Sequence, residues 1–303
     1  MNSKHLLSLC DIRPDEVGGI LSMAADLKQT RGQPDAPRPL AGKSIGMIFS
    51  KSSTRTRVSF QVAVYELGGH SMFFDREQLQ LGRGESMPDT AKVLSRYLHA
   101  VVIRTHEHEG LIEYARYSTI PVINALTDKF HPCQLLADLQ TIAENSDGLE
   151  GVRVAYLGDG ASNLANSWAV ASKLTGIQLC VGAPEGFHPD LSVLDRVDGN
   201  GQVEVGTDPI QAVTNADYIY TDVWVSMGFE AEAGDRLRTL APYQVNQSLL
   251  AHAAADVKVM HCLPAYRGKE ITADVLDGPQ SIVWDQAENR LHVQKAVLTK
   301  LIR

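Results

Sequence analysis

The residues best equipped for chemistry stand just after short apolar runs. Ser44–Phe49 (SIGMIF) leads into Ser53, Thr54, Arg55, Thr56 and Arg57, where a helix-period stretch begins. Helix starts carry unpaired N–H groups and partial positive charge; hydroxyls add donors, and a guanidinium adds a planar fork for oxyanions. One of these residues alone reads as a helix cap, but five together read as an anion cradle. Arg104 closes the run Ala100–Arg104. It is either a surface charge or a second guanidinium on the same edge. His131, Pro132, Cys133 and Gln134 open another helix. His131 and Gln134 can hydrogen-bond a carbonyl that gains negative charge in a transition state, although His131 can equally serve as a cap.

The second half of the chain repeats the pattern. Gly158–Asn163 (GDGASN) follows an apolar run but has Asn163 where a dinucleotide fingerprint needs its third glycine. The expected acid after the next strand is also missing, which argues against a nicotinamide cofactor. Asn163 and Asn166 instead offer amides to a polar ligand. Asp222 ends the run Asp217–Asp222 and is either a loop cap or a carboxylate for a cationic amine. His261 and Cys262 are neighbours on a strand and so point to opposite faces, which argues against a nucleophilic dyad; an inert buried cysteine is the simpler reading. His106 and His108 lack a third partner for a metal.

Strand-like and helix-like runs alternate along nearly the whole chain, as in α/β proteins with parallel sheets. Strands are expected at Ser44–Phe49, Ala100–Arg104, Pro121–Asn124, Val152–Gly158, Gln178–Gly182, Asp217–Thr221, Lys258–His261 and Ser281–Trp284. Helices are expected at Thr54–Leu67, with Val58, Val62 and Tyr65 on its apolar face, after Arg104 through Tyr114, at Pro132–Glu144, at Asn163–Leu174 closed by Gly176, and at Ala287–Ile302. The series restarts near Pro132–Glu144. Two domains follow: residues 1–134 with the helical tail 287–303, and residues 135–286. In open α/β sheets ligands bind at the carboxyl ends of the strands, where the residues above stand.

Composition narrows the function classes. The chain has 303 residues, 44% hydrophobic and 21% charged, which is globular. With 36 acidic against 28 basic residues and a formal charge of -8, a nucleic-acid binder is not expected. No apolar run is long enough to span a membrane, and the first residues do not read as a signal peptide, so a cytoplasmic protein is expected. The four cysteines show no zinc spacing and no disulfide framework.

Taken in order, STRTR (53–57), HPCQ (131–134), DVWVSMG (222–228) and HCLP (261–264) resemble the ornithine carbamoyltransferase family. The likeness runs from about Leu6 to Ile302. It implies two α/β domains, one for carbamoyl phosphate and one for the amino acid, with the last helix returning to the first. It also implies a homotrimer or a larger multiple, with Gln80 reaching a neighbouring subunit's site. By the same resemblance Ser53, Thr54, Arg55 and Thr56 form the phosphate cradle, and Arg104 is shared between phosphate and carbonyl. His131 and Gln134, with Pro132 and Cys133 beside them, bind the carbamoyl group. Asn163, Asp222, Ser226 and Met227 bind ornithine, Cys262 and Leu263 lie between the substrates, and Arg290 closes over the carbamoyl group.

Relatives using acetylornithine or putrescine lack SMG, and an aspartate site would need added cations where this chain has Asp222. Ornithine is therefore the expected acceptor. The resemblance implies transfer of the carbamoyl group to its side-chain amine, giving citrulline and phosphate, with no metal or organic cofactor.

Overall fold

The computed structural model describes residues 1, 3–50, 53–75, 84–225 and 230–302. It divides into two compact units, Met1–Gln140 with Asn289–Arg303, and Thr141–Glu288. Two parallel sheets flanked by helices account for both, in agreement with the α/β reading.

In the first unit helix α1 (Pro14–Gln29) precedes β1 (Ser44–Phe49), α2 (Thr54–Glu66), β2 (His70–Asp75), α3 (Met87–Tyr97), β3 (Ala100–Arg104), α4 (His108–Tyr117), β4 (Val122–Leu126) and α5 (Pro132–Asn145). The sheet order is β2-β1-β3-β4, all parallel. Strands covered on both faces bury nearly every residue, which is why β1 and β3 read as unbroken apolar runs. Chain direction across the sheet reverses between β1 and β3. The carboxyl ends of those two strands therefore flank a switch point, where an open α/β sheet leaves a crevice. Ser53–Thr56 follow β1 and Arg104 ends β3, so sheet order alone brings these residues to one edge.

The second unit continues with β5 (Arg153–Leu157), α6 (Asn163–Thr175), β6 (Gln178–Gly182), β7 (Gln202–Gly206), α7 (Pro209–Val213), β8 (Tyr218–Thr221), α8 (Ala233–Leu240), α9 (Gln247–Leu250), β9 (Lys258–His261) and α10 (Ala273–Leu276). Its parallel sheet has the order β7-β6-β5-β8-β9. Here the switch point lies between β5 and β8. The loop carrying Asn163 follows β5, and Asp222 follows β8. Gly176 stops α6 in the left-handed conformation (φ 78°), as its place after the periodic run suggested.

Helix α11 (Val283–Leu301) ends the described chain. From Asn289 onward it belongs to the first unit, where Lys295 Nζ donates to Glu66 Oε2 at 3.0 Å and to the Leu27 carbonyl at 3.2 Å. Lys28 Nζ also donates to Asn289 Oδ1 at 2.9 Å. This is the expected return of the last helix.

The structure corrects several details. Helix α2 buries Thr56, Phe60, Ala63 and Val64 and leaves Val58 and Tyr65 exposed, so its inward face is not the one expected. Ser281 makes only an isolated bridge with Val259, and α11 starts at Val283, so the expected strand through Trp284 is the start of a helix. Strands β2 and β7 and helix α3 were not anticipated. Among the described residues no helix is long and apolar enough to cross a membrane.

Candidate functional site

Each unit gathers polar residues at its own switch point. In the first, Ser53 caps α2 in extended conformation, yet its side chain makes no capping hydrogen bond. Helix geometry leaves the first N–H groups of α2 without intrahelical acceptors. Thr54 and Arg55 are exposed, while Thr56 is buried at 3% exposure. A plain cap would have committed the Ser53 hydroxyl to the helix, and here it is not so committed.

Arg104 is 8% exposed, which rules out a solvated surface charge. A register shift at Ile103/Arg104 interrupts its pairing with β4. His131 and Gln134 are also buried, at 4% and 1%. Burial holds the His131 imidazole well below its ordinary pKa, and the charges of Arg290 and Arg104 add to the effect. The ring is thus neutral at pH 7 and lies within the field of two guanidinium groups. Arg290, from α11, donates from Nη1 to Gln134 Oε1 and from Nη2 to Thr56 Oγ1 at 3.4 Å. One guanidinium therefore joins the start of α2 to the start of α5.

Pro132 is the first residue of α5. Cys133 turns away from this group, its thiol donating to the Asn124 carbonyl at 3.5 Å. Burial raises that thiol's pKa to about 12. Cys133 can serve the edge only through its backbone.

At the second switch point Asp222 is 8% exposed, and its Oδ1 accepts from Cys262 Sγ at 2.8 Å and from the Val223 N–H at 2.7 Å. Burial pushes the Asp222 carboxyl up from its usual range, against the opposing pull of His261, the Cys262 thiol and the Val223 N–H. A buried carboxylate with a thiol on one oxygen is a natural seat for a cationic amine. Leu263 follows with φ 58°, an uncommon left-handed conformation for a branched residue. Its N–H donates to His261 Nδ1 at 2.8 Å, so the imidazole proton is on Nε2, which faces Glu270 Oε1 at 3.3 Å.

Asp222, His261 and Cys262 each place a donor atom within 4.8 Å of the others. Both imidazole nitrogens already have protein partners, however, and the thiol is engaged with the carboxylate. Strand β9 ends at His261, so Cys262 begins the following loop, where its thiol turns to Asp222 rather than alternating with His261 along a strand. His106 is exposed while His108 is buried with Nδ1 on Thr127 Oγ1 at 2.9 Å, so those two do not form a metal pair.

Asn163 is the first residue of α6 and half-buried, whereas Asn166 Oδ1 accepts from the Asp190 N–H. The preceding loop packs closely against its own chain. A Cβ on Gly160 would meet the Phe187 carbonyl oxygen at 2.5 Å, and Asp159 is held in a buried ion pair by Arg236. Arg236 also donates to the Trp224 carbonyl at 2.8 Å, tying the Asn163 loop to the Asp222 segment. Neither Asp159 nor Arg236 was singled out in the sequence; only their partnership across the fold marks them. Gln80, Ser226 and Met227 lie outside the described residues.

Comparison with known proteins matches both halves. Residues 4–144 fit the family model described as the aspartate/ornithine carbamoyltransferase carbamoyl-P binding domain, and residues 150–301 fit that of its Asp/Orn binding domain. The ornithine carbamoyltransferase of Syntrophus aciditrophicus is 51% identical over 301 residues, covering 99% of both chains. That of Methanoculleus marisnigri is 50% identical over 300 residues, covering 99% of this chain and 97% of the relative. The solved ornithine carbamoyltransferase from Pyrococcus furiosus superposes with a TM-score of 0.91 at 47% identity, covering 98% and 96% of the two chains. With both halves matched, and with guanidinium groups at one switch point and a carboxylate at the other, the chain belongs to the aspartate/ornithine carbamoyltransferase family.

Proposed function

We propose that this enzyme transfers the carbamoyl group of carbamoyl phosphate to the side-chain amine of L-ornithine, giving L-citrulline and phosphate. The supporting observation is the group around His131: a buried neutral imidazole under the charges of Arg104 and Arg290, beside the Gln134 carboxamide. Such a set stabilises a carbonyl oxygen as it becomes negative without bringing in an acidic proton. Losing one donor of this kind typically costs about 3 kcal/mol of transition-state stabilisation. Full-length relatives named ornithine carbamoyltransferase at about half identity support ornithine as the acceptor.

In this reading Ser53, Thr54, Arg55 and Thr56 hold the phosphate, and Arg104 is shared between phosphate and carbonyl. His131, Gln134 and Arg290 hold the carbamoyl group, with Pro132 and Cys133 contributing backbone at the helix start. Asn163, Asp222, Ser226 and Met227 hold ornithine, and Cys262 and Leu263 adjoin both substrates. The amine attacks the carbamoyl carbon, a C–N bond forms, and the bond to the phosphate oxygen breaks.

An alkyl amine with pKa near 10.4 must first lose a proton, which at pH 7 costs about 4–5 kcal/mol. Asp222 steers the cationic substrate, and either the Cys262–Asp222 pair or the departing phosphate takes that proton. The family resemblance further supports a cytoplasmic homotrimer in which Gln80 serves a neighbouring subunit's site. Initial rates of product formation with ornithine, putrescine, N-acetylornithine and aspartate at fixed carbamoyl phosphate test the proposal. Ornithine must be preferred by a wide margin; comparable rates with another amine overturn it.

A further inference from the structure

We propose that Asp138 is a positioning residue that sets which end of the Gln134 carboxamide faces the carbamoyl group, and so lets the site tell a carbamoyl from an acetyl phosphate. The inference rests on the reading of Gln134 as a carbamoyl-binding residue. Asp138 lies one turn after Gln134 on α5, at the spacing where helical side chains meet, and is fully buried. Gln134 Nε2 donates to Asp138 Oδ1 at 2.8 Å, while Gln134 Oε1 accepts from Arg290 Nη1.

The Asp138 oxygen accepts from Gln134 Nε2, and a guanidinium only donates. Both neighbours therefore demand the same orientation of the amide. Turning it over would set oxygen against oxygen at Asp138 and N–H against N–H at Arg290. A carboxamide free to turn would present donor and acceptor with similar ease.

The orientation matters because of what distinguishes the donor substrate. Carbamoyl and acetyl phosphate share the phosphate, the ester oxygen and the carbonyl. They differ in an –NH2 where the acetyl group has –CH3. The –NH2 group rewards a hydrogen-bond acceptor and the methyl group does not. The Gln134 carbonyl oxygen has two lone pairs, and Arg290 takes one. The second, held in place through Asp138, is the acceptor that reads the –NH2. Arg104 and Arg55 cannot do this, because they only donate.

The test uses the full chain in citrulline formation, with wild type, Asp138→Asn, Gln134→Ala and the double variant. Inorganic phosphate and acetyl phosphate serve as competitive inhibitors against carbamoyl phosphate. Asn can turn its own amide and pair with Gln134 in either orientation, so in Asp138→Asn only Arg290 still holds the carboxamide, and the KM for carbamoyl phosphate rises by about tenfold or more. The inhibition constants of inorganic phosphate and acetyl phosphate stay within about twofold, since neither uses the amide acceptor. In the Gln134→Ala background the same change adds less than about twofold, as expected of two residues acting as one unit.

A parallel rise in all three constants would mark Asp138 as merely structural and overturn the inference, as would an undiminished effect in the Gln134→Ala background. Gln134→Glu probes the contact without touching Asp138. It sets two carboxyl groups together, so they share a proton. The KM for carbamoyl phosphate of this variant should fall toward the wild-type value as pH is lowered; a pH profile parallel to wild type overturns the inference. Absence of citrulline with the wild type overturns the proposed function and this inference with it. Citrulline from the wild type with an unchanged Asp138→Asn overturns the inference alone.

Discussion

Cys262 donates its thiol hydrogen to Asp222 Oδ1 at 2.8 Å, and the same oxygen accepts the Val223 N–H at 2.7 Å. The thiol is thereby oriented toward the carboxylate. In the proposed function the pair acts on the amine side of the reaction. Cys262→Ala should raise the KM for ornithine by about tenfold, the value of one charge-assisted hydrogen bond. The KM for carbamoyl phosphate should stay within about twofold. Cys262→Ser keeps a donor and should recover part of the loss. Equal effects on both substrates would remove Cys262 from the amine side.

Asp222 carries a stability cost that its replacement should reveal. Burial is the first cause that raises its pKa, so the folded chain holds this proton more tightly than the unfolded chain. Between the unfolded and the folded pKa the native state binds more protons, and stability falls as pH rises through that window. Above it the cost is fully present. Asp222→Asn keeps an oxygen that can accept from Cys262 and Val223 but has no charge to desolvate. The variant should lose nearly all ornithine use while its Tm at pH 7 exceeds that of wild type. The Tm difference should shrink as pH falls toward the unfolded pKa of about 3.9. A lower Tm at neutral pH would show that the carboxylate is held by compensating charge.

In the proposed phosphate site Arg55 is the exposed cation and Arg104 the buried one. Arg55 is solvent-exposed, so Arg55→Ala should leave Tm within about 2 °C, as surface changes usually do. Its kcat/KM for carbamoyl phosphate should nonetheless fall by about a hundredfold or more. Arg104→Gln removes a buried charge that also bears on His131, and its loss should appear in kcat as well as in KM. Near-normal turnover in either variant would refute the phosphate assignment.

How much of this was legible in the sequence depends on whether the signal was local. Ser44–Phe49, Ala100–Arg104 and Lys258–His261 read correctly because parallel strands buried on both faces are continuous apolar runs. The edge strands β2 and β7 escaped notice because their burial is mixed and their polar residues blur the pattern. The inward face of α2 was misjudged because Val58 and Tyr65 look apolar in sequence, while the packed face holds Thr56 and Ala63. Residues at strand ends were found by type and position. Asp138, Asp159, Arg236 and Glu270 were not. Asp138 had a helical signal, its i+4 spacing from Gln134; the Asp159–Arg236 pair forms only when segments 77 residues apart meet, and Glu270 meets His261 and the Tyr266 N–H through loop geometry that no periodicity marks.

His131 offers a last check, on charge state. Burial, then the fields of Arg290 and Arg104, depress its pKa in the folded chain well below the unfolded value of about 6.5. As pH falls through that value the unfolded chain takes up a proton that the folded chain refuses. Stability contributed by keeping the ring neutral is therefore present above about pH 6.5 and lost progressively below it. Tm measured from pH 7.5 down to 5.5 should fall more steeply for wild type than for His131→Asn, which has no ring to protonate. Buried His108, also depressed by desolvation, contributes equally to both and cancels in the comparison. The activity profile should show no limb from this ring between about pH 6 and 8, so the rise with pH there reports the amine proton and its acceptor. A proton-resonance titration of His131 with a midpoint near 6.5 would contradict the neutral imidazole, and with it the argument that the carbonyl is polarised by an uncharged donor flanked by two fixed cations.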